Sequence, residues 1–357
     1  MSPIPVTLLT GFLGSGKTTV LNHLVRTPEM AKVLVIINEF GEIGLDHLLV
    51  TQGREDTVVE MSSGCLCCTI RSSLAKTLRD VTWRFAREGK RQFDRVLIET
   101  TGLADPAPII NTLITDKFIA SRYRLDGVVT TVDLASGDRT LDEHPESVKQ
   151  AAVADLVLLT KADLASREGI AKLHERLARL NPVAPQHIVR SGQVEPAMLL
   201  DLGSFDAAGK IADVRSWLGE EAARATVNAA HRHDADGHPH EHGNGHDVNR
   251  HDDHIRAFCF ALDGPIQPGA LEAWRVAMQP LMGESMLRIK GILNVRGEAR
   301  PVVVHGVQHI LHPQVHLPQW PTNDRRSRMV FITRNIERNV IEQALKTLTA
   351  APEGGGS

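Results

Sequence analysis

No apolar run in the 357-residue chain approaches the roughly 18 residues that a membrane-spanning helix needs, so no membrane is expected as a partner. The opening residues Met1-Ser2-Pro3-Ile4-Pro5 lack a basic cluster, and their apolar members belong to the first strand. A secretory signal is therefore not expected, and the cytoplasm is the expected compartment. Long basic blocks are missing too. With 40 Lys and Arg against 43 Asp and Glu, nucleic acid is not an expected partner. Cysteine is scarce: there are 4, and three sit together in Cys65-Leu66-Cys67-Cys68. A disulfide framework would spread its cysteines along the chain to close loops; this clustering points to reduced thiols and metal chemistry.

What is present is enough for two domains at roughly 150 residues each, with ordinary apolar and charged fractions of 42% and 23% that allow a substantial core. The first half alternates apolar runs (Ile4 to Leu9, Lys32 to Asn38, Arg95 to Glu99, Gly127 to Val132, Leu156 to Thr160) with helical patterns such as Ser72 to Arg87 and Arg167 to Leu180. That alternation predicts an α/β fold with a mostly parallel sheet covered by helices on both faces, and ligands gather at the carboxyl ends of such strands. Residues 228–254 hold almost no large apolar side chain and read as a flexible segment. Beyond it, strands at Arg256 to Leu262, Leu287 to Val295, Pro301 to Val307 and Met329 to Thr333 are expected. A helix at Pro268 to Met282 and a final helix with Ile336, Val340, Ile341, Leu345 and Leu348 on one face complete a smaller α+β domain. The expected division is 1–205, a linker at 206–254 ending in the His-rich part, 255–350, and a disordered tail at 351–357.

The stretch from Gly11 to Thr18, GFLGSGKT, meets every position of G-x-x-x-x-G-K-[ST] between an apolar strand and a helix-compatible run. Gly11, Gly14, Ser15, Gly16 and Thr19 are expected to cradle phosphate oxygens through backbone N–H groups and the start of the helix. Lys17 would reach the β- and γ-phosphates, and Thr18 would hold Mg²⁺. Glu99, ending an apolar strand, takes the place of an acid beside Mg²⁺, and Gly102 lets backbone approach the terminal phosphate. Thr160-Lys161-Ala162-Asp163 ends another strand: Asp163 can accept from the guanine N1–H and 2-amino group, which adenine cannot match, and Lys161 can lie over the base. Ser191-Gly192 could add backbone contacts to the base. In the polar loop after the second strand, Glu39, Glu42 and Asp46 are candidates for positioning the attacking water or touching a metal.

Cys65, Cys67 and Cys68 offer three thiolates within four residues, a soft donor set that suits Zn²⁺ and would also take Cu(I). Three ligands leave one coordination position open, as a transferable ion requires. Eight histidines between His231 and His254, interleaved with acids, read as a low-specificity metal reservoir. His305, His309, His312 and His316 are expected to serve packing, and Cys259 receives no role.

GFLGSGKTT, NEFGEIGLD, GCLCC, ETTGLADP and TKAD, in this order, resemble the CobW-type GTPases, the metal-chaperone branch of the SIMIBI P-loop class. LRIKG at 287–291 and DRRSR at 324–328 are similar to that family's C-terminal domain. The resemblance implies GTP binding, slow hydrolysis, zinc on Cys65, Cys67 and Cys68, and delivery to a client apo-metalloenzyme under nucleotide control. Thr160 stands where Asn is common, and Glu39 where Asp is frequent. Three other readings stand beside this one: a GTPase of cobalt insertion and cobalamin synthesis, a P-loop kinase of small metabolites, and a passive metal store. Oligomeric state is not readable, with a homodimer one option.

Overall fold

The computed structural model describes residues 3–37, 58–60, 68–84, 86–87, 90–200, 202 and 255–349. In chain order the strands and helices of the first half are β1 (Ile4–Gly11), α1 (Lys17–Leu24), β2 (Val33–Ile37), β3 (Val58–Glu60), α2 (Cys68–Arg84), β4 (Ala86–Arg87), β5 (Lys90–Arg91), β6 (Arg95–Glu99), α3 (Ala107–Thr115), α4 (Lys117–Ala120), β7 (Tyr123–Asp133), α5 (Gly137–Glu143), α6 (Pro145–Ala152), β8 (Leu156–Thr160), α7 (Arg167–Leu180) and β9 (Gln186–Ile188). The second half holds β10 (Ile255–Leu262), α8 (Pro268–Met278), β11 (Met286–Leu293), β12 (Val302–Val307), β13 (Ile310–Leu311), β14 (Val315–His316), β15 (Ser327–Arg334) and α9 (Arg338–Thr349).

Seven strands form one sheet in the order β3-β2-β6-β1-β7-β8-β9, and every pairing in it is parallel. The middle strands β1, β2, β6 and β8 are mainly apolar and mostly buried, because both faces are covered. On one face Val6, Leu8, Ile36 and Ile98 pack under α2, α3 and α4, and on the other Leu9, Val35 and Leu97 meet Val20, Leu21 and Leu24 of α1. Register then sets the site. Leu9 pairs with Glu99, Gly11 with Thr131, and Asp133 with Thr160, so these carboxyl ends of the interior strands β6, β1, β7 and β8 lie side by side.

The second sheet is antiparallel, in the order β10-β15-β11-β12-β13 with β14 also on β12. One face packs on α8 and α9 through Ile289, Met329 and Phe331 around the fully buried Trp274. The opposite face meets the first half: Leu287, Val330 and Ile332 share a core with α6 and α7, and Val307 enters the core beneath α3. Asn181, which ends α7, donates its side-chain amide to the carbonyls of Ala151, Ala152 and Ala154 at 2.9–3.0 Å and so fixes the end of α6.

Some expected elements are shifted. The helix expected from Ser72 to Arg87 runs from Cys68 to Arg84, because Ala86-Arg87 pairs with Lys90-Arg91 as a small hairpin. The helix expected to reach Met282 stops at Met278 and tightens into a 3-10 turn, since Pro280 has no N–H to continue the ladder. On α9 the buried residues are Ile341, Leu345 and Leu348; Val340 is exposed, and Ile336 precedes the helix. Glu39, Glu42, Asp46, Cys65, Cys67, the His-rich segment and the tail lie outside the described residues.

Candidate functional site

β1 delivers the chain to a loop at 12–16 and then directly into α1. Gly16 caps the helix with φ 94°, and no side chain caps the first turn, which leaves the first N–H groups of α1 for an anion. Ser15 is fixed from below by a 2.6 Å hydrogen bond between its Oγ and Thr131 Oγ1. The buried Lys17 folds across the loop, its Nζ donating to the carbonyls of Gly11 (2.9 Å) and Phe12 (3.1 Å).

Thr18 Oγ1 donates to Glu99 Oε1 at 3.0 Å, joining the hydroxyl of the first helical turn to the carboxylate at the end of β6. A hydroxyl and a buried carboxylate in contact supply hard oxygens suited to Mg²⁺. Gly102 lies flat against the loop: a Cβ there would sit 2.6 Å from Leu13 N and 2.7 Å from Leu13 Cα, so only glycine fits. The loop holding Gly102 is anchored by α6. Gln150 donates through Nε2 to the carbonyls of Gly102 (3.1 Å) and Ala104 (3.0 Å), and Lys149 Nζ lies 3.2 Å from Asp105 Oδ2.

On the other side of α1, Thr160 donates to Ser15 O at 2.7 Å, tying the end of β8 to the phosphate-binding loop. Lys161 adopts φ 55°, and its Nζ reaches Asp133 Oδ2 at 2.7 Å. Burial pulls the Asp133 carboxyl upward, but Lys161, the Ala135 N–H and the Ser136 hydroxyl outweigh it and hold the group below its usual range. Asp163 follows on the exposed turn closed by Leu164 N to Lys161 O. Gly192 presses against α1, where a side chain would meet Thr19 O at 2.6 Å, so Ser191-Gly192 does lie beside the helix that opens the site.

The structure therefore brings Gly11, Gly14, Ser15, Gly16, Lys17, Thr18, Thr19, Glu99, Gly102 and Lys161 to one end of the sheet, with Asp163 at its margin. Cys68 opens α2. Among the described residues no group of three His, Cys, Asp or Glu side chains is arranged to hold a metal ion.

Residues 5–187 match the model of the CobW/HypB/UreG nucleotide-binding domain, and residues 255–349 that of the cobalamin synthesis protein cobW C-terminal domain. The chain belongs to the CobW/HypB/UreG family. Within it, the chain is 33% identical to the zinc chaperone YjiA of Escherichia coli over 98% of this chain and 99% of that one. It is 30% identical to the zinc chaperone CobW of Pseudomonas aeruginosa over 98% and 92%. The crystal structure of Zn(II)-bound YjiA GTPase from E. coli superposes with a TM-score of 0.66 at 29% identity, covering 98% of this chain and 99% of that one.

Thr131, Asp133 and Gln150 hydrogen-bond to the candidate residues Ser15, Lys161 and Gly102 without any motif announcing them. Thr131 and Asp133 end an apolar strand, which is a usable signal. Gln150 has none: it is a fully buried glutamine in a short helix whose partners lie 46 and 48 residues away.

Proposed function

We propose that this chain is a GTP-hydrolysing zinc metallochaperone that carries Zn²⁺ as cargo on Cys65, Cys67 and Cys68 and passes it to a client apo-metalloprotein under nucleotide control. The observation that carries the reading is the Thr18–Glu99 contact at the mouth of the loop, in a chain that shares a third of its residues with a zinc chaperone along its whole length. The residues fit a nucleoside triphosphate with Mg²⁺: uncapped N–H groups, a buried lysine, a hydroxyl–carboxylate pair and a glycine flush with the loop. Bound Mg²⁺ supplies charge neutralisation on the phosphate oxygens. Lys17 binds the β- and γ-phosphates, Thr18 and Glu99 hold the cation, and the backbone of Gly102 faces the terminal phosphate. Asp163 accepts from guanine while Asp133 aims Lys161 along the base, and Glu42 is the candidate to orient the attacking water. Turnover is slow in this reading, as suits a timer.

Nucleotide control has a physical route in α6. Its preceding residue His144 stacks on Phe12 of the loop at 4.3 Å, its middle holds Gly102 and Ala104 through Gln150, and Val153 just beyond its end accepts from Arg288 of the second sheet. Asp105 adds a second tie, with Gln308 Nε2 at 3.3 Å from its Oδ2. We assign 1–205 as the GTPase unit, 206–254 as a linker, 255–350 as the C-terminal unit and 351–357 as a tail. A reducing cytoplasm suits three adjacent thiols, and a homodimer is decided by size measurement.

The test is Zn²⁺ affinity measured by competition with GTP analogue, with GDP and without nucleotide. The reading requires different values; three identical ones reject the coupling. Replacing Cys65, Cys67 and Cys68 by Ser should remove the tight zinc site while nucleotide affinity stays.

A further inference from the structure

The Gly102 loop is held from the second half of the chain as well as from α6. It joins β6 to α3, and its near end is fixed by the sheet. Thr100 N–H donates to Leu9 O at 2.9 Å, and the Thr100 hydroxyl donates to Thr10 Oγ1 at 2.9 Å. Its far end is Asp105. One carboxylate oxygen accepts from Ala107 N–H at 2.9 Å and turns the chain into α3, and Lys149 Nζ lies 3.2 Å from the other. Gln308 of the second half donates through Nε2 to the same carboxylate, 3.3 and 3.5 Å from its two oxygens.

Gln308 sits where the chain reverses. Val307 pairs with Ile310, which leaves Gln308 and His309 to turn β12 into β13. A two-residue turn of this kind calls for left-handed backbone, which glycine and asparagine adopt most easily. Here Gln308 takes it, with φ 48°, although its longer side chain gains nothing within the turn. That length is used outside the turn: Gln308 is buried and reaches Asp105 across the boundary between the halves. Asparagine, one methylene shorter, fits the backbone better but falls short of the carboxylate. Val307 keeps the turn in place, for it is fully buried and shares a core with Ile109, Ile110 and Leu113 of α3, the helix that follows the loop. Across the same hairpin, burial first and Arg288 second hold the His305 and His312 imidazoles below their ordinary range. Neither therefore brings a charge near Asp105 at neutral pH, and the hairpin meets that carboxylate with a neutral amide.

We propose that Gln308 is a positioning residue for GTP hydrolysis, through which the second half holds the Gly102 loop at its working distance from the phosphate-binding loop. Gln308 acts on Asp105 and touches no nucleotide. Gln150 grips Gly102 and Ala104 from α6 while Gln308 grips Asp105 from the hairpin, so the backbone that faces the terminal phosphate is set from two sides. A displacement of about 1 Å at such a position is costly to the transition state. GDP, which lacks the terminal phosphate, does not depend on this loop, so loosening it acts on turnover and leaves GDP affinity in place. The inference rests on the GTPase reading above and is independent of the zinc site.

The test is phosphate release from GTP by the full chain, with GDP affinity by calorimetry, thermal midpoints by circular dichroism, and hydrogen exchange of the backbone at 100–107 without nucleotide. Gln308→Asn and Gln308→Gly should each lower kcat at least about fivefold, with KM for GTP and Kd for GDP within about twofold of wild type. Both replacements suit the left-handed turn, so midpoints should stay within about 3 °C, while exchange at 100–107 speeds up. A role confined to the turn predicts the opposite pattern, a raised midpoint with kcat unchanged. His309→Ala, at the exposed position of the same turn, is the control and should keep wild-type turnover. Should one Gln308 variant fail to fold, the other decides. Unchanged kcat in the folded variants, or unchanged exchange at 100–107, overturns the proposal while wild-type turnover leaves the GTPase reading standing. A wild-type chain that releases no phosphate rejects that reading and the inference with it.

Discussion

Removing one carboxylate, Asp155, tests the energetics of the contact between the two halves. Asp155 precedes β8 and is buried, as is Arg288 on β11; the two side chains are 3% and 1% exposed. Asp155 holds the Arg288 guanidinium by a hydrogen bond, lies 2.8 Å from Lys290 Nζ and accepts from Val128 N–H at 3.0 Å. Burial alone would raise the Asp155 carboxyl, but Arg288 and Lys290 overcome it and hold the group far below the carboxylate range. Asp155→Ala strands the guanidinium in an apolar interface, and breaking a buried pair in this way costs about 3–5 kcal/mol. Urea unfolding followed by far-UV circular dichroism and by tryptophan fluorescence reads both halves. The double replacement Asp155→Leu with Arg288→Leu removes both charges and should lose less than Asp155→Ala alone. The sign of the pH dependence is fixed by the depressed carboxyl. Its contribution is full above the unfolded value of about 3.9 and is lost only as pH falls through the folded value. The gap between wild type and Asp155→Ala should therefore be flat from about pH 6 to 9. A loss under about 1 kcal/mol, or a double variant as unstable as the sum of its singles, refutes the reasoning.

Glu99→Gln keeps the size of the side chain but weakens the oxygen site it shares with Thr18, so GTP turnover should fall about 100-fold or more while the melting temperature stays close to wild type. Asp163→Asn exchanges an acceptor for an amide; GTP affinity should drop at least about 100-fold and xanthosine triphosphate, with a carbonyl in place of the 2-amino group, should bind better than GTP, both read by competition titration. Gly102→Ala should slow turnover, because a methyl 2.6 Å from Leu13 N must push the two loops apart; unchanged kcat in this variant contradicts the close approach. His305 and His312 are depressed in the folded chain, so stability is full above the unfolded imidazole value of about 6.5 and declines as pH falls toward about 4, where His312 titrates. Denaturant midpoints between these limits should fall in wild type and fall less in His312→Gln.

The central strands β1, β2, β6 and β8 of the nucleotide-binding sheet were readable to within a few residues because each carries a β-branched or leucine run buried on both faces. The start of β7 shows where this fails. It begins at Tyr123, not Gly127, because Arg124 and Asp126 look like loop residues, yet Asp126 is fully buried against Arg95 (2.5 Å) and Arg124 (3.1 Å). A charge pattern in sequence does not reveal which charges are neutralised by residues 31 positions away. The close approaches of Gly102 to Leu13 and of Gly192 to Thr19 were not readable either, because the motif spacing points to a phosphate and a base and not to these backbone neighbours.

The contact between the halves was illegible for a related reason, and it bears on function. Arg288 and Lys290 alternate with apolar neighbours on β11 and read as solvent-facing positions of a half-buried strand. Their face is covered because Val153 and Asp155 lie 135 and 133 residues from Arg288, at the end of a helix that carries no motif. That helix, α6, touches the phosphate-binding loop at one end and the second sheet at the other, with Gln150 on Gly102 between them. A motif records chemistry at a site, whereas transmission of its state depends on packed polar contacts of long sequence separation. Two short strings, GFLGSGKT and CLCC, announce the proposed chemistry; the residues that link the loop to the second sheet by contact, Gln150, Val153 and Asp155, become visible only in the folded chain.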